Sequence, residues 1–373
     1  MGIRMAVAVG LAAGSVCWGQ AAADVPAVEH EAFTFQFGPV SAGAELDYPA
    51  GARNAPVVVL IPGSGPEDRD ADIPTAHDGT THIFRDIADE LTAHGYAVMR
   101  YDKRFVREPH VVDPRFDTDV DLNDFRSDAE QVLRAAEQDS HIDPHRVFLY
   151  GWSEGSTVAA ALAVSHPELA GAVFQGSVAA PWRLVFAYQT EQVEAAYLQR
   201  YSVDGLLGPD ELRRAYTGEG GAVARSAVGY ATVDASHGDF TVAPYFDSNH
   251  DGKLDVNLEF RPVSEQYLDR LFASDGFIYG PGKTLPTVPE QAPKLTGPVL
   301  ILQGRDDANV PAEGASALDA ALALAGNRDH TLRVLPGLGH SLGRTPDVLA
   351  DDFQPIDATA LSALTQWLDA HTT

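Results

Sequence analysis

Apolar residues along this chain fall into short unbroken runs, separated by longer stretches in which they recur every three or four positions. Val57-Val58-Val59-Leu60-Ile61 is one such run, and it ends in Pro62-Gly63-Ser64-Gly65-Pro66. A run of that kind predicts a strand buried on both faces. Tyr96–Tyr101, Val147–Tyr150, Ala170–Phe174, Pro298–Leu302 and Thr331–Leu335 repeat the signature. Between them, Ile83–His94 carries Ile83, Phe84, Ile87 and Leu91 at helical spacing, and Asp121–Glu137 carries Leu122, Phe125, Val132 and Leu133. Further helices are predicted over Ser156–Val164, Ala312–Ala325 and Ala358–His371. Near the N-terminus, Phe33–Phe37 and Ala44–Tyr48 alternate apolar with polar, the pattern of an antiparallel hairpin. Strand alternating with helix predicts an α/β fold, a mostly parallel sheet with helices on both faces.

The alternation stops at Pro181 and resumes near Lys294. Residues 181–293 hold 15 of the chain's 32 aromatics, so this stretch needs a core of its own. Two helices are expected in it, Leu184–Gln199 and Pro209–Tyr216, followed by a glycine-bearing loop and a polar turn. The simplest organisation is a core split into 24–180 and 294–373, with 181–293 inserted between two strands as a cap. A cap folding as a separate binding module is the alternative, and the lack of a long linker argues against it. The sequence contains no internal repeat and no low-complexity tract.

Charge narrows the partners. The formal net charge is −27, and the only lysines are Lys103, Lys253, Lys283 and Lys294. Such a surface repels nucleic acid and anionic membranes. Residues 1–23 read as a secretory signal, with Arg4, an Ala/Val/Leu/Gly stretch and Ala21-Ala22-Ala23 before Asp24. The stretch is too short and too rich in glycine to span a membrane. Cleavage there removes Cys17, the single cysteine, and leaves a chain without thiol or disulfide chemistry. A periplasmic or secreted protein is expected.

Chemistry concentrates where the Val147–Tyr150 run ends. Gly151-Trp152-Ser153-Glu154-Gly155 lies between a predicted strand and a predicted helix, the context in which G-x-S-x-G marks a nucleophile elbow. A second match, Gly339-His340-Ser341-Leu342-Gly343, sits in a Pro/Gly loop, and Pro346 opposes an immediate helix. The one histidine after it, His371, does not end a strand, so Ser153 is the candidate nucleophile. A serine hydroxyl is a poor nucleophile until a base takes its proton, and an imidazole base needs a carboxylate to hold its tautomer. The strand at Val299–Leu302 runs into Gln303-Gly304-Arg305-Asp306-Asp307, and the next strand runs into Pro336-Gly337-Leu338-Gly339-His340. Both therefore deliver such groups to the same sheet edge as Ser153, in the chain order Ser, Asp, His. His330 and His371 lie nearby in sequence, but neither ends a strand.

Four segments together resemble a known family: Gly63-Ser-Gly-Pro-Glu-Asp-Arg-Asp70, Arg100-Tyr-Asp-Lys-Arg104, Gly151-Trp-Ser-Glu-Gly155 and Gly304-Arg-Asp-Asp-Ala-Asn-Val-Pro311. The chain resembles the α/β-hydrolases of the bacterial serine esterase and serine aminopeptidase-like group, including proteins related to dipeptidyl aminopeptidases and acylaminoacyl-peptidases. The resemblance covers nearly the whole mature chain apart from the cap. It implies that the acid is Asp307 rather than Asp306. It also implies an oxyanion hole made by the backbone N–H groups of Ser64 and Glu154. Family members usually continue the second segment with a glycine, where Phe105 stands here. Asp68, Arg69 and Asp70 read as a salt-bridged brace, as do Asp102 and Arg104. The Glu154 carboxylate has two readings, a brace for the elbow or a ligand for a substrate amine.

The cap adds a separate signal. Asp247, Asn249, Asp251 and Asp255 occupy positions 1, 3, 5 and 9 of a calcium-loop pattern over 247–258, with Gly252 at position 6 and the Lys253 carbonyl at position 7. Leu258 stands at position 12, where a bidentate glutamate belongs, and Glu259 comes one place late. A structural calcium is expected; an Asx-rich turn without metal is the alternative. No cofactor is needed for the chemistry. These readings converge on a serine hydrolase that cleaves carboxylic esters, with a small acyl ester as substrate. An aminopeptidase or amidase acting on short peptides or amides is the alternative, and a non-catalytic binding module a more distant one.

Overall fold

The computed structural model describes residues 27–76, 79–108 and 111–372. The leader expected at 1–23 lies outside the described residues. Eight strands form the central sheet: β1 (Val28–Phe37), β2 (Val40–Pro49), β3 (Ala55–Ile61), β4 (Ala97–Tyr101), β5 (Ile142–Trp152), β6 (Gly171–Gln175), β7 (Val299–Gly304) and β8 (His330–Leu335). Their spatial order is β1-β2-β4-β3-β5-β6-β7-β8. β1 and β2 are the expected hairpin, and β2 also runs antiparallel to β4. All other pairs are parallel.

Alternate residues of each central strand feed two cores. Val57, Val59 and Ile61 of β3 face α2 (Leu122–Gln138), α3 (Glu154–Ser165) and α10 (Glu313–Ala325), joined by Leu149, Phe174 and Ile301. Val58 and Leu60 face α1 (Ile83–Ala93) and α11 (Ala358–His371), with Phe148, Val173 and Leu300. Burial on both faces is why these strands read as unbroken apolar runs rather than as alternation. α2 begins one residue later than expected because Asp121 is its N-cap, accepting the N–H groups of Asn123 and Asp124.

Between β6 and β7 the chain leaves the sheet. Here lie α4 (Trp182–Tyr188), a π-helical turn (Gln189–Glu194), α5 (Ala195–Tyr201), α6 (Pro209–Tyr216), α7 (Ala222–Ala231), α8 (Arg261–Phe272) and α9 (Val288–Gln291). These elements gather an apolar cluster of their own, including Leu198, Leu212, Val228, Phe246 and Phe260. α7 and α8 were not expected. Gly229 interrupts the first, and Pro262 opens the second, where a proline's missing N–H has no helical partner to lose. Among the described residues no helix is long and apolar enough to cross a membrane.

Candidate active site

Ser153 stands between the last residue of β5 and the first of α3, with φ 53° and ψ −119°. Such a backbone costs a non-glycine residue on the order of 1–3 kcal/mol and persists only where its surroundings impose it. Two glycines show how they do so. A Cβ on Gly151 would lie 2.5 Å from the Gly155 carbonyl oxygen, and one on Gly155 would lie 2.3 Å from that of Ile61. β5, α3 and β3 thus meet backbone to backbone, and the chain turns the only way left. The Ser153 N–H donates to Gln175 O at 2.9 Å, which fastens the elbow to β6.

Asp307 and His340 come from the loops after β7 and β8 and are both buried. His340 Nδ1 and Asp307 Oδ2 are 2.8 Å apart. Gln303 Nε2 donates to the same oxygen at 2.8 Å, and the N–H groups of Asn309 and Val310 donate to Oδ1 at 2.8 and 2.9 Å. Four donors on a buried carboxylate fix it in one orientation. The His340 carbonyl accepts from Trp152 Nε1 at 3.2 Å and Gln175 Nε2 at 2.9 Å, so the residue before the nucleophile holds the histidine loop. Gly176, at φ 53°, leaves room for the imidazole; a Cβ there would fall 2.9 Å from His340 Cε1. Among the described residues no hydrogen bond joins Ser153 Oγ to the ring. Such contacts often tighten only when substrate is bound. Burial alone would depress the His340 imidazole, but the Asp307 carboxylate, with Asp351 and Glu67 behind it, holds it above the ordinary value.

The neighbouring candidates have other work. Asp306 Oδ2 accepts the Gly337 N–H at 2.9 Å, and Ser341 Oγ donates to Gln354 O at 2.7 Å, so both tie loops together. Arg69 forms a two-point pair with Asp102, at 3.0 and 2.7 Å, and Arg104 another with Asp128, at 2.7 and 2.6 Å. Phe105 adopts φ 69°. The left-handed turn that a glycine takes freely is therefore kept here with a buried phenylalanine.

Around the expected oxyanion donors lies a network that sequence reading missed. A Cβ on Gly63 would touch Ser153 Cβ at 3.3 Å, so the loop through Ser64 lies against the nucleophile. Lys103 Nζ reaches Gly63 O at 2.5 Å, Gly65 O at 3.0 Å and Glu154 Oε1 at 2.7 Å. Tyr279, from the cap, donates to Glu154 Oε2 at 2.6 Å and lies 2.9 Å from Ser64 Oγ. Glu67 Oε2 accepts the Gly63 N–H at 2.7 Å. Burial pushes the Glu67 carboxyl up to about 8, with Lys103 and the Gly63 N–H opposing and Glu154 adding to the rise. Both Glu154 oxygens are engaged, which is the brace reading of that residue. Lys103 was visible as a lysine inside a quoted segment; nothing in the sequence links Tyr279 to position 154.

In the cap, Asp247 accepts the N–H groups of Asp251 and Gly252, Asn249 that of Asp251, and Asp251 that of Lys253. Asp255 caps the following helical turn through Asn257 and Leu258. Leu258 is 77% exposed, while Glu259 is buried and takes the N–H groups of Ser248 and Asp255. A carboxylate has about four acceptor directions. These bonds therefore orient an all-oxygen donor set and leave it capacity for a hard cation. The donor types suit calcium, and Asp247, Asn249, Asp251, Asp255 and the Lys253 carbonyl would hold it, but the carboxylates of Asp247, Asp251 and Asp255 do not all lie within 4.8 Å of one another.

Residues 77–217 match the family described as serine aminopeptidase, S33. Esterase EstD of Thermotoga maritima is 34% identical over 113 residues, 30% of this chain and 24% of the esterase. The match thus spans about a quarter of that curated relative. The proline iminopeptidase of Mycobacterium smegmatis superposes with a TM-score of 0.53 at 19% identity, over 92% of this chain and 99% of that one. The α/β hydrolase GrgF from Penicillium superposes with a TM-score of 0.51 at 17% identity, over 92% and 99%. The chain has the α/β-hydrolase fold. Residues 77–217 are similar to the serine aminopeptidase family, and a 113-residue stretch is similar to an esterase.

Proposed function

We propose that this hydrolase cleaves carboxylic esters through an acyl-enzyme on Ser153. His340 takes the Ser153 proton as the oxygen attacks the acyl carbon, and returns it to the leaving alcohol. Water, activated by the same imidazole, then releases the acid. Asp307 holds the ring tautomer and stabilises its charged form. The N–H groups of Ser64 and Glu154 receive the developing oxyanion, each worth about 3 kcal/mol of transition-state stabilisation. The observation that carries this reading is the 2.8 Å Asp307–His340 contact on the sheet edge where Ser153 makes its strained turn. Trp182 and Tyr279, stacked at 3.9 Å beside the oxyanion loop, suit a small substrate with an apolar acyl or alcohol part.

Amide or peptide hydrolysis by the same residues is the second reading, favoured by the serine aminopeptidase match over 77–217. Against it, Lys103 and Tyr279 already occupy the Glu154 carboxylate that would greet a substrate amine. A fluorophosphonate probe, followed by turnover of short acyl esters against aminoacyl amides, tests both. Labelling confined to Ser153, lost in Ser153→Ala, and ester turnover well above amide turnover are expected. No labelling of the wild type alongside a control esterase that labels would sink the hydrolytic mechanism and leave a binding module.

We further propose that the 247–258 loop binds calcium as a staple of the cap. Calcium titration by calorimetry, with Asp251→Ala as the control, tests this; equal heats from both proteins would leave only an Asx-rich turn.

A further inference from the structure

We propose that Asp351 is a positioning residue of the active site, a buried carboxylate that ties the acid loop to the histidine loop and sets a second negative charge behind the imidazole. The proposal rests on the reading of Ser153, Asp307 and His340 given above. Its starting point is a gap in the sheet. β7 and β8 are paired only as far as Gly304 opposite Leu335. Asp307 and His340 both lie beyond that last rung; the backbone bonds that follow it, Arg305 N–H to Leu335 O and Asp306 N–H to Leu338 O, stop short of both residues. Asp351 Oδ2 bridges the gap. It accepts the N–H of Ala308 at 2.9 Å and the N–H of His340 at 2.9 Å. One donor follows the acid in sequence, and the other belongs to the base itself. A single oxygen atom therefore fixes the backbone on both sides of the Asp307–His340 bond.

The site is built for this carboxylate. Asp351 is 3% exposed. Gly339 leaves the space it fills, since a Cβ there would fall 1.8 Å from Asp351 Oδ1. Its own backbone is pinned from the cap side. The N–H of Gly221, the residue before α7, donates to Leu349 O at 2.9 Å, and a Cβ on Gly221 would fall 1.8 Å from Asp351 O. Next in the chain, Asp352 Oδ1 accepts the Ala76 N–H at 2.7 Å. The cap is thus packed directly on the residue that sets the spacing of acid and base.

Charge adds a second effect. The ionisable groups facing His340 are Asp307, Asp351 and Glu67, and those facing Asp351 are Asp307 and His340. Burial and the Asp307 charge push the Asp351 carboxyl up to about 7. Two carboxylates in one buried pocket oppose each other's ionisation, and an imidazolium between them relieves both. The Asp351 charge therefore favours the state in which His340 holds the Ser153 proton.

Asp351→Asn in the full chain separates position from charge, because the amide oxygen can still accept both N–H groups. The readouts are kcat and KM on a short-chain p-nitrophenyl ester, the pH profile of kcat/KM, and the melting temperature. We expect a folded variant with kcat reduced about 10-fold, because both N–H bonds are kept and only the charge that stabilises the imidazolium is lost. KM should change little, and the acid limb of kcat/KM should move to lower pH, because the imidazolium has lost a neighbouring anion. Unchanged kcat, or a reduced kcat with the limb unmoved, overturns the proposal. Should this variant melt below the assay temperature, Gly221→Ala displaces Asp351 from the cap side. A fall in kcat at constant KM supports the proposal there, and wild-type kcat overturns it. A wild-type chain that neither turns over the ester nor reacts with fluorophosphonate overturns the hydrolytic reading itself, whereas an active wild type beside a normal Asp351→Asn overturns this inference alone.

Discussion

The nucleophile and its two partners reach one sheet edge but are held there by opposite means. Ser153 is held by exclusion: Gly151 and Gly155 let three backbones close on each other until a single turn remains. Asp307 and His340 are held by attraction, through Gln303, Gln175, Trp152 and Asp351, each donating or accepting across loops that no ladder joins. Exclusion works at short range and depends on the smallness of a few residues close in sequence. Polar ties work between segments far apart in sequence, and each requires a buried group to be matched by a partner, since an unmatched one costs about 1–3 kcal/mol. The oxyanion loop combines both devices, with Gly63 pressed on Ser153 and Lys103 holding its carbonyls.

Substitutions on either side can break this comparison. The largest effect is expected from Gly155→Ala. Its Cβ would meet the Ile61 and Pro62 carbonyl oxygens at 2.3 and 2.5 Å, and these are backbone atoms of a central strand and its end. A stability loss of about 3 kcal/mol is expected, at the upper end of overpacking costs, with fluorophosphonate labelling nearly abolished. Urea unfolding and labelling rates measure the two. A wild-type labelling rate would show that close packing does not set the elbow.

Lys103→Met should come next. It strips the ammonium from Glu154 and from two carbonyls while keeping most of the side-chain volume. Leaving a buried carboxylate unpaired costs about 3–5 kcal/mol, and Lys103→Met with Glu154→Gln should recover part of it. A double variant no more stable than the single one would mean that the ammonium acts on the loop carbonyls alone. The smallest effect concerns the cap. Removing calcium with a chelator should lower the melting temperature by a few degrees, since a site filled at 100 times its Kd contributes about 2.7 kcal/mol. Ester kcat should stay unchanged, because the hydrogen bonds of the loop run among residues 247–259.

The same contrast explains what could be read in advance. The elbow, the acid loop and the histidine loop each follow an unbroken apolar run, and a strand buried on both faces leaves that trace in any chain. Ser153, Asp307 and His340 were therefore nameable from local context, with the family resemblance choosing Asp307 over Asp306. Phe105 shows a limit: glycine was the expected residue, yet the positive φ is kept by a side chain buried in the core. Lys103, Tyr279 and Asp351 carry no local signature, because each has a partner between 43 and 125 residues away. α7 and α8 escaped for a related reason. Packing in the cap beside Leu198, Leu212 and Phe260 carries α7 past its glycine, and the leading proline of α8 costs that helix nothing.

By itself the sequence determined the α/β alternation, the order of the candidate reactive residues along the chain, and Ser153 as the proposed nucleophile. These depend on periodicity and on short motifs, which are properties of neighbouring residues. Only the tertiary structure decided that Glu154 is a brace, that a tyrosine from the cap meets the oxyanion loop, and that one carboxylate at Asp351 joins the loops of acid and base. Those outcomes depend on which buried charges and N–H groups face one another once the chain is closed. A buried polar group is satisfied by whatever lies within about 3 Å of it, and distance in space is what a linear sequence does not record.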